Sequence, residues 1–386
     1  MSVLTPAVIE YRRACSRWTS SRWYSPLNFE QVRYEVRRAL ELGASDRLSD
    51  FVYDRTGVER AIDDLSMYLD SDILSGIDDP VRSIVRNAVE AKIEFAKSCR
   101  TDDAEFSRFQ EVLHGVPDES TLALSLELLD GVDGESSNVS GSRHPLIGAE
   151  RAKRSVEFAL SSYGLDEWGV VVSGQMAAQV AVNGRRNLVR ISSDLHCTEA
   201  DLDRLLVHEV GGHVLRWENS RRQKDPWLAQ PLGVTVRTEE GFALFLELVM
   251  GVQSHRQMRV YSARVVAADM AKSLGLIDVA RSLSRFIGVR DAVDVAIRVK
   301  RGLVDPNGPG GLLKDWGYLG GMRMVHDVIS RSPESFDLLA ATKWGVELLP
   351  QVRSMKCDGL IFAPVFRASA EKLGLSVVST ESQMSM

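Results

Sequence analysis

Cysteine is scarce in this chain. There are four in 386 residues (Cys15, Cys99, Cys197 and Cys357), widely scattered and with no C-x-x-C pair. That excludes a disulfide framework, and a reducing cytoplasm is the simplest home for such a protein. Long apolar runs are missing too. None approaches the roughly 18–20 residues a membrane helix needs, and the N-terminal stretch lacks the apolar core of a secretory signal. Nor is there a surplus of positive charge. With a net charge of −6 and a pI near 5.8, nothing marks the chain as a general nucleic-acid binder.

What is present suits a folded protein: 44% hydrophobic residues, in a chain long enough for two or three domain-sized units. Tyr11–Ser25 is rich in Arg and Ser and free of acids, a composition shared with organelle transit peptides. Its Trp18, Trp23 and Tyr24 favour a basic surface segment anchored by aromatics. Residues 26–130 keep helix-like apolar spacing, with Asn28 as an expected N-cap and Val32, Val36 and Ala39 on the first apolar face. Gly131–Ser142 is polar, glycine-rich and aperiodic, the best linker in the chain.

Beyond it the period changes. A helix is expected over about 147–163, then strands at Trp168–Ser173 and Ala177–Val182. Asn183-Gly184 is a strong hairpin signal, and Asn187–Ser192 makes the returning strand. Thr198 through Asp201 resembles a capping box, less the usual Glu or Gln at its third position. It opens a helix with an apolar stripe of Leu202, Leu205, Leu206 and Val210. Two more helices follow over 253–290, and 334–375 is a mixed segment in which Leu338–Ala341 and Leu360–Phe366 are expected to be buried. The fold class expected is α+β and mostly helical, with a small antiparallel sheet just before the helix that carries the histidines. The organisation expected is a helical region over 1–130, a linker at 131–143 and a catalytic domain over 144–335. A C-terminal segment over 336–386 would pack on that domain and end in a frayed tail.

That helix carries His208-Glu209-Val210-Gly211-Gly212-His213. Two imidazoles with a carboxylate beside the first supply most of a zinc hydrolase's ligand set and its general base. The familiar spacing for such a pair is i, i+4, which puts both rings on one helix face. Here the second His is at i+5, about 140° round an ideal α-helix. The rings can share an ion only if the turn is overlong, as in a π-bulge. Glycine accepts such a distortion with little steric strain, and Gly211-Gly212 stands where it is needed. The plainer alternative is a chance H-E…H in which the glycines simply end a helix.

A catalytic zinc usually has three protein ligands and one open position. The next candidate is Glu240 in Thr238-Glu239-Glu240-Gly241-Phe242-Ala243. Thr238 is expected to cap a second helix there, placing both acids in its first turn, where the helix dipole favours their ionised form. Glu247 follows seven residues later on the same face and suits the free N–H of a ligating His. Without the histidine pair, all three acids read as ordinary solvated helix charges.

At these residues the chain resembles a known family. HEVGGHVLRWEN is similar to the H-E-I-G-T-H-x-L-R-x-x-N stretch of the microtubule-associated tyrosine carboxypeptidases, whose bacterial members carry a Q-E-G-L-A motif. TEEGFALFLE resembles that motif and its helix, with Glu239 in place of Gln and Phe242 in place of Leu. Arg298 through Gly302 resembles R-V-x-R-G, and Lys314 through Gly321 resembles K-D-x-x-Y-L-x-G. The likeness spans roughly residues 140–335. It implies a zincin-like peptidase of gluzincin type that binds one zinc ion through His208, His213 and Glu240, with Glu209 as base. It implies less directly the removal of a residue from a peptide or protein C-terminus; tubulin as substrate does not carry over.

Tyr318, a phenol within a matched motif, is the expected donor to the oxyanion, unless it is a plain core tyrosine. Arg298, Arg301, Arg216 and Lys314 are the cations on hand for a terminal carboxylate. An equal alternative is that Arg216, with Asn219, ties the histidine helix to its neighbours. The loop Asp305–Gly311 fits either a flap or a connector. Three readings of function stay open: a carboxypeptidase, an endopeptidase or other amide hydrolase with the same centre, and a non-catalytic protein with a structural metal.

Overall fold

The computed structural model describes residues 4–18, 20–43, 47–131, 146–174, 176, 178–233 and 235–376. Of these, the residues within 134–255 and 321–386 form one compact unit, and those within 4–133 and 256–320 form another. Helix predominates, with a few short strands, so the fold is α+β and mostly helical. Most of the expected linker and the expected frayed tail lie outside the described residues. No helix among the described residues is long and apolar enough to cross a membrane.

The unit holding the N-terminal residues is built from helices such as Phe29–Leu42, Val58–Leu69, Asp79–Ser98 and Asp103–His114, joined by His255–Ala271, Leu276–Leu283 and Val289–Lys300. Each has an apolar face at helical spacing. Val81, Val85, Val89, Ile93 and Ala96 form the buried stripe of Asp79–Ser98. Trp23 and Tyr24 are buried in a core with Phe95, Phe106, Leu303 and Leu312, so the Arg/Ser-rich segment is anchored by its aromatics. Asn28 does not cap the helix that follows it. Its amide instead pairs with the backbone of Asp50 and Val52, at 2.9 and 3.0 Å.

In the other unit, Ala149–Ser162 (α1) packs on a three-stranded sheet of Gly169–Ser173 (β1), Val180–Asn183 (β2) and Leu188–Ser192 (β3), in the order β1-β3-β2. β2 and β3 form the expected antiparallel hairpin, with Asn183 opposite Leu188. Its turn is longer than the Asn-Gly pair suggests: a 3-10 turn over Gly184–Arg186, closed by Asn187 in the left-handed region (φ 46°). β1 runs parallel to β3, so the sheet is mixed, not antiparallel. Strand periodicity reports which residues alternate; it does not report the direction of a partner reached through a connection. Val170, Val180, Val189 and Ile191 are buried on the sheet.

Residues 199–220 form one helical run (α2), opened by Thr198. The capping box is complete: Asp201 accepts from the Thr198 N–H at 3.2 Å, the part expected of a Glu or Gln. Thr235–Val249 (α3) starts four residues before Glu239, the first helical residue expected, so Thr238 is interior and is not a cap. Its hydroxyl accepts the Val346 N–H at 2.9 Å, and Glu239 and Glu240 sit beyond the first turn. Ser335–Ala341 (α4) is buried over Leu338–Ala341. Leu360–Phe366 is not buried as a block, since Phe362 is 50% and Val365 68% exposed.

Candidate active site

The middle of α2, Leu206–Val214, is π-helical. With hydrogen bonds running i to i+5, residue i+5 stands over residue i, and the spacing of His208 and His213 becomes a same-face spacing. Their ring centroids are 5.0 Å apart. Neither intervening glycine has a positive φ. Their value is the missing side chain. A Cβ on Gly212 would lie 2.6 Å from the Ala243 Cβ and 2.9 Å from the Ala243 Cα, so only glycine lets α3 come this close.

That approach brings Glu240 to the histidines. Its Oε2 lies 3.4 Å from His208 Nε2 and 3.9 Å from His213 Nε2, and one ligand atom from each of the three residues lies within 4.8 Å of the others. Ligand atoms held tetrahedrally at about 2.0–2.1 Å from a zinc ion are about 3.4 Å apart, so the 3.4 and 3.9 Å separations from Glu240 and the chemistry of two imidazoles and a carboxylate suit such an ion. Glycine also sets the far side of α3. A Cβ on Gly241 would fall 2.2 Å from the Gly321 carbonyl carbon, and one on Gly321 would fall 2.1 Å from the Arg237 carbonyl oxygen. Two of the motifs noted in the sequence thus meet through their glycines.

Glu247 is fully buried and accepts from His208 Nδ1 at 2.7 Å, leaving Nε2 to face Glu240. Arg204, also buried, lies 3.6 Å from the same Glu247 oxygen. Burial by itself would lower the His208 pKa, but its contacts with Glu240 and Glu247 outweigh that and raise it well above the usual imidazole value. Glu209 moves in the same direction for a different reason. Burial raises its carboxyl pKa more than His208 and His213, both close by, lower it.

Glu239 accepts from Arg216 Nη1 at 2.7 Å and from Lys343 Nζ, and its Oε2 lies 3.5 Å from His213 Nδ1. Burial works against its charge, yet the two cations hold it well below the usual carboxylate range. Arg204 and Lys343 carried no signal in the sequence, and Glu239 read as a first-turn carboxylate standing where the related motif has Gln.

Arg216 is not free to hold a substrate carboxylate. It is 1% exposed, and besides Glu239 it donates to the carbonyls of Leu339 and Trp344, at 2.7 and 2.9 Å. Asn219 does not support the histidines either; its amide is committed to the backbone of Phe366, at 2.8 Å in both directions. The pair ties α2 to the C-terminal segment.

Tyr318, Arg298, Arg301 and Lys314 belong to the other unit. There Arg298 pairs with the buried Asp315 at 2.6 Å, and Arg301 Nη2 lies 3.6 Å from the same oxygen. Tyr318 stacks on Tyr261, with centroids 5.5 Å apart and the Arg264 guanidinium over its ring. The loop Asp305–Gly311 is pinned and is no flap. Lys300 Nζ donates to the Gly308 and Gly310 carbonyls at 2.8 Å each, and Gly310 N–H to the Ala271 carbonyl at 2.6 Å.

A mostly helical α+β chain that clusters His208, His213 and Glu240, the first of them buried, with the Glu209 carboxylate close by, has the makings of a hydrolase. Residues 53–382 match the family described as microtubule-associated tyrosine carboxypeptidase, and the chain belongs to that family. Membership places it among the carboxypeptidases. No curated protein matches it by sequence.

Proposed function

We propose that this protein is a zinc-dependent carboxypeptidase that removes a C-terminal residue from a peptide or protein, with His208, His213 and Glu240 as ligands and Glu209 as general base. The observation that carries the reading is the convergence of those three ligand atoms across an overlong turn. Zinc, when bound, supplies Lewis-acid activation of water and of the scissile carbonyl. The remaining chemistry falls to side chains of this chain. Glu209 takes the proton of the attacking water and passes it to the leaving amine. Glu247 accepts a hydrogen bond from the His208 Nδ1–H and so directs Nε2 inward.

The test is zinc-loaded protein mixed with a peptide library and read by mass spectrometry. Peptides ending in tyrosine are included because the family is described by that residue. Loss of single C-terminal residues supports the reading, whereas internal cuts select an endopeptidase. Glu209→Gln is expected to keep its zinc and lose about 10²–10⁴-fold in hydrolysis. Full hydrolysis by that variant would remove Glu209 from the mechanism.

A further inference from the structure

The two histidines are built alike. Each turns Nε2 toward Glu240 and Nδ1 toward a second carboxylate: Glu247 at 2.7 Å for His208, Glu239 at 3.5 Å for His213. The two carboxylates are held differently. Glu247 has Arg204 near one oxygen. Glu239 is gripped on both, by Arg216 on Oε1 and by Lys343 on Oε2, the oxygen that faces His213.

Neither cation is a passing surface charge. The Arg216 side chain is fully buried and that of Lys343 is 12% exposed. α4 and the stretch after it fix both. The Leu339 and Trp344 carbonyls orient the guanidinium, while the Lys343 backbone N–H donates to the Leu228 carbonyl at 2.8 Å. Two buried cations facing one anion need that anion to be a carboxylate. A neutral amide, such as the Gln that stands at this position in the motif the chain resembles, would leave them uncompensated.

We propose that Glu239 is the positioning residue for His213, accepting its Nδ1–H so that Nε2 presents a lone pair to the ion, and that Lys343 holds Glu239 in place. The C-terminal segment thereby becomes part of the metal centre. The inference rests on the zinc reading above. A carboxylate behind a ligating imidazole fixes its tautomer and makes it a better donor, and loss of such a partner typically weakens metal binding about 10–100-fold.

The experiment measures zinc affinity by chelator competition for the full-length wild type, Glu239→Ala, Lys343→Met, Lys343→Arg and His213→Ala, with folding followed by circular dichroism. Protein labelled with ¹⁵N-histidine reports the tautomer of the His213 ring. Glu239→Ala is expected to bind zinc about 10–100-fold more weakly and to lose the Nδ1–H signature at His213. Lys343→Met keeps the stem's packing, so it serves if Glu239→Ala fails to fold. It is expected to weaken binding about 10-fold, and Lys343→Arg, which returns the charge, to restore it. A merely structural ion cluster would lower the melting temperature of these variants without moving zinc affinity or the ring signal. Folded Glu239→Ala or Lys343→Met protein with wild-type affinity would overturn the proposal while leaving the zinc reading intact. A wild type that binds zinc no better than His213→Ala would overturn both.

Discussion

Replacing Gly212 with alanine puts a methyl carbon 2.6 Å from the Ala243 Cβ and 2.9 Å from the Ala243 Cα. Carbon atoms in good contact sit about 3.5–4.0 Å apart, so α2 and α3 must part by about 1 Å at that point. Overpacking of this kind costs about 1–3 kcal/mol, and alanine's better helix propensity returns about 1 kcal/mol. The net loss of stability is therefore modest, about 0–2 kcal/mol. The effect on the site is larger. Ala243 lies within one turn of Glu240, and a shift of about 1 Å carries that carboxylate away from both rings, where coordination tolerates about 0.2 Å. Gly211→Ala is the control, because its new methyl would lie 3.3 Å from the Ala368 Cβ, a contact that small adjustments relieve. Thermal melts with zinc and with chelator, zinc affinity and peptide turnover are the assays. Gly212→Ala is expected to fold, to lose most of its stabilisation by zinc and to turn over about 10²-fold more slowly. Gly211→Ala should behave like wild type. If the two variants match in zinc affinity and turnover, the close helix approach is not what assembles the site.

Other outcomes follow from the same structure. Glu247→Ala removes the partner of His208 Nδ1 and should weaken zinc binding about 10–100-fold, read by chelator competition. Burial opposes the charge of Asp315, but Arg298 and Arg301 outweigh it and hold the carboxyl well below the usual range. Its contribution to stability is thus complete above about pH 4 and lost as pH falls toward the folded-state value. Asp315→Asn should cost about 3–5 kcal/mol at pH 7 and flatten the acid limb of stability, read by urea melts at pH 7 and pH 3. Lys300→Met strips the Gly308 and Gly310 carbonyls of their donor. Faster amide hydrogen exchange at Gly310, with destabilisation of about 1–3 kcal/mol, is expected.

Local chemistry was legible without coordinates. For an imidazole pair at i, i+5 to face one ion the turn had to be overlong, and the turn is π-helical. Apolar periodicity located the helices, and the Asn-Gly pair marked a hairpin, because these signals depend on neighbours a few residues apart. Tertiary structure decided what depends on distant partners. It gave Gly212 its reason, a missing Cβ against Ala243, and made β1 a parallel neighbour of β3. It also spent Arg216 and Asn219 on the C-terminal segment, and it set Lys343 on Glu239 across 104 residues of chain. Periodicity reports which face of a segment is apolar. Which segment covers that face, and which charge meets which, is settled only when the chain closes on itself.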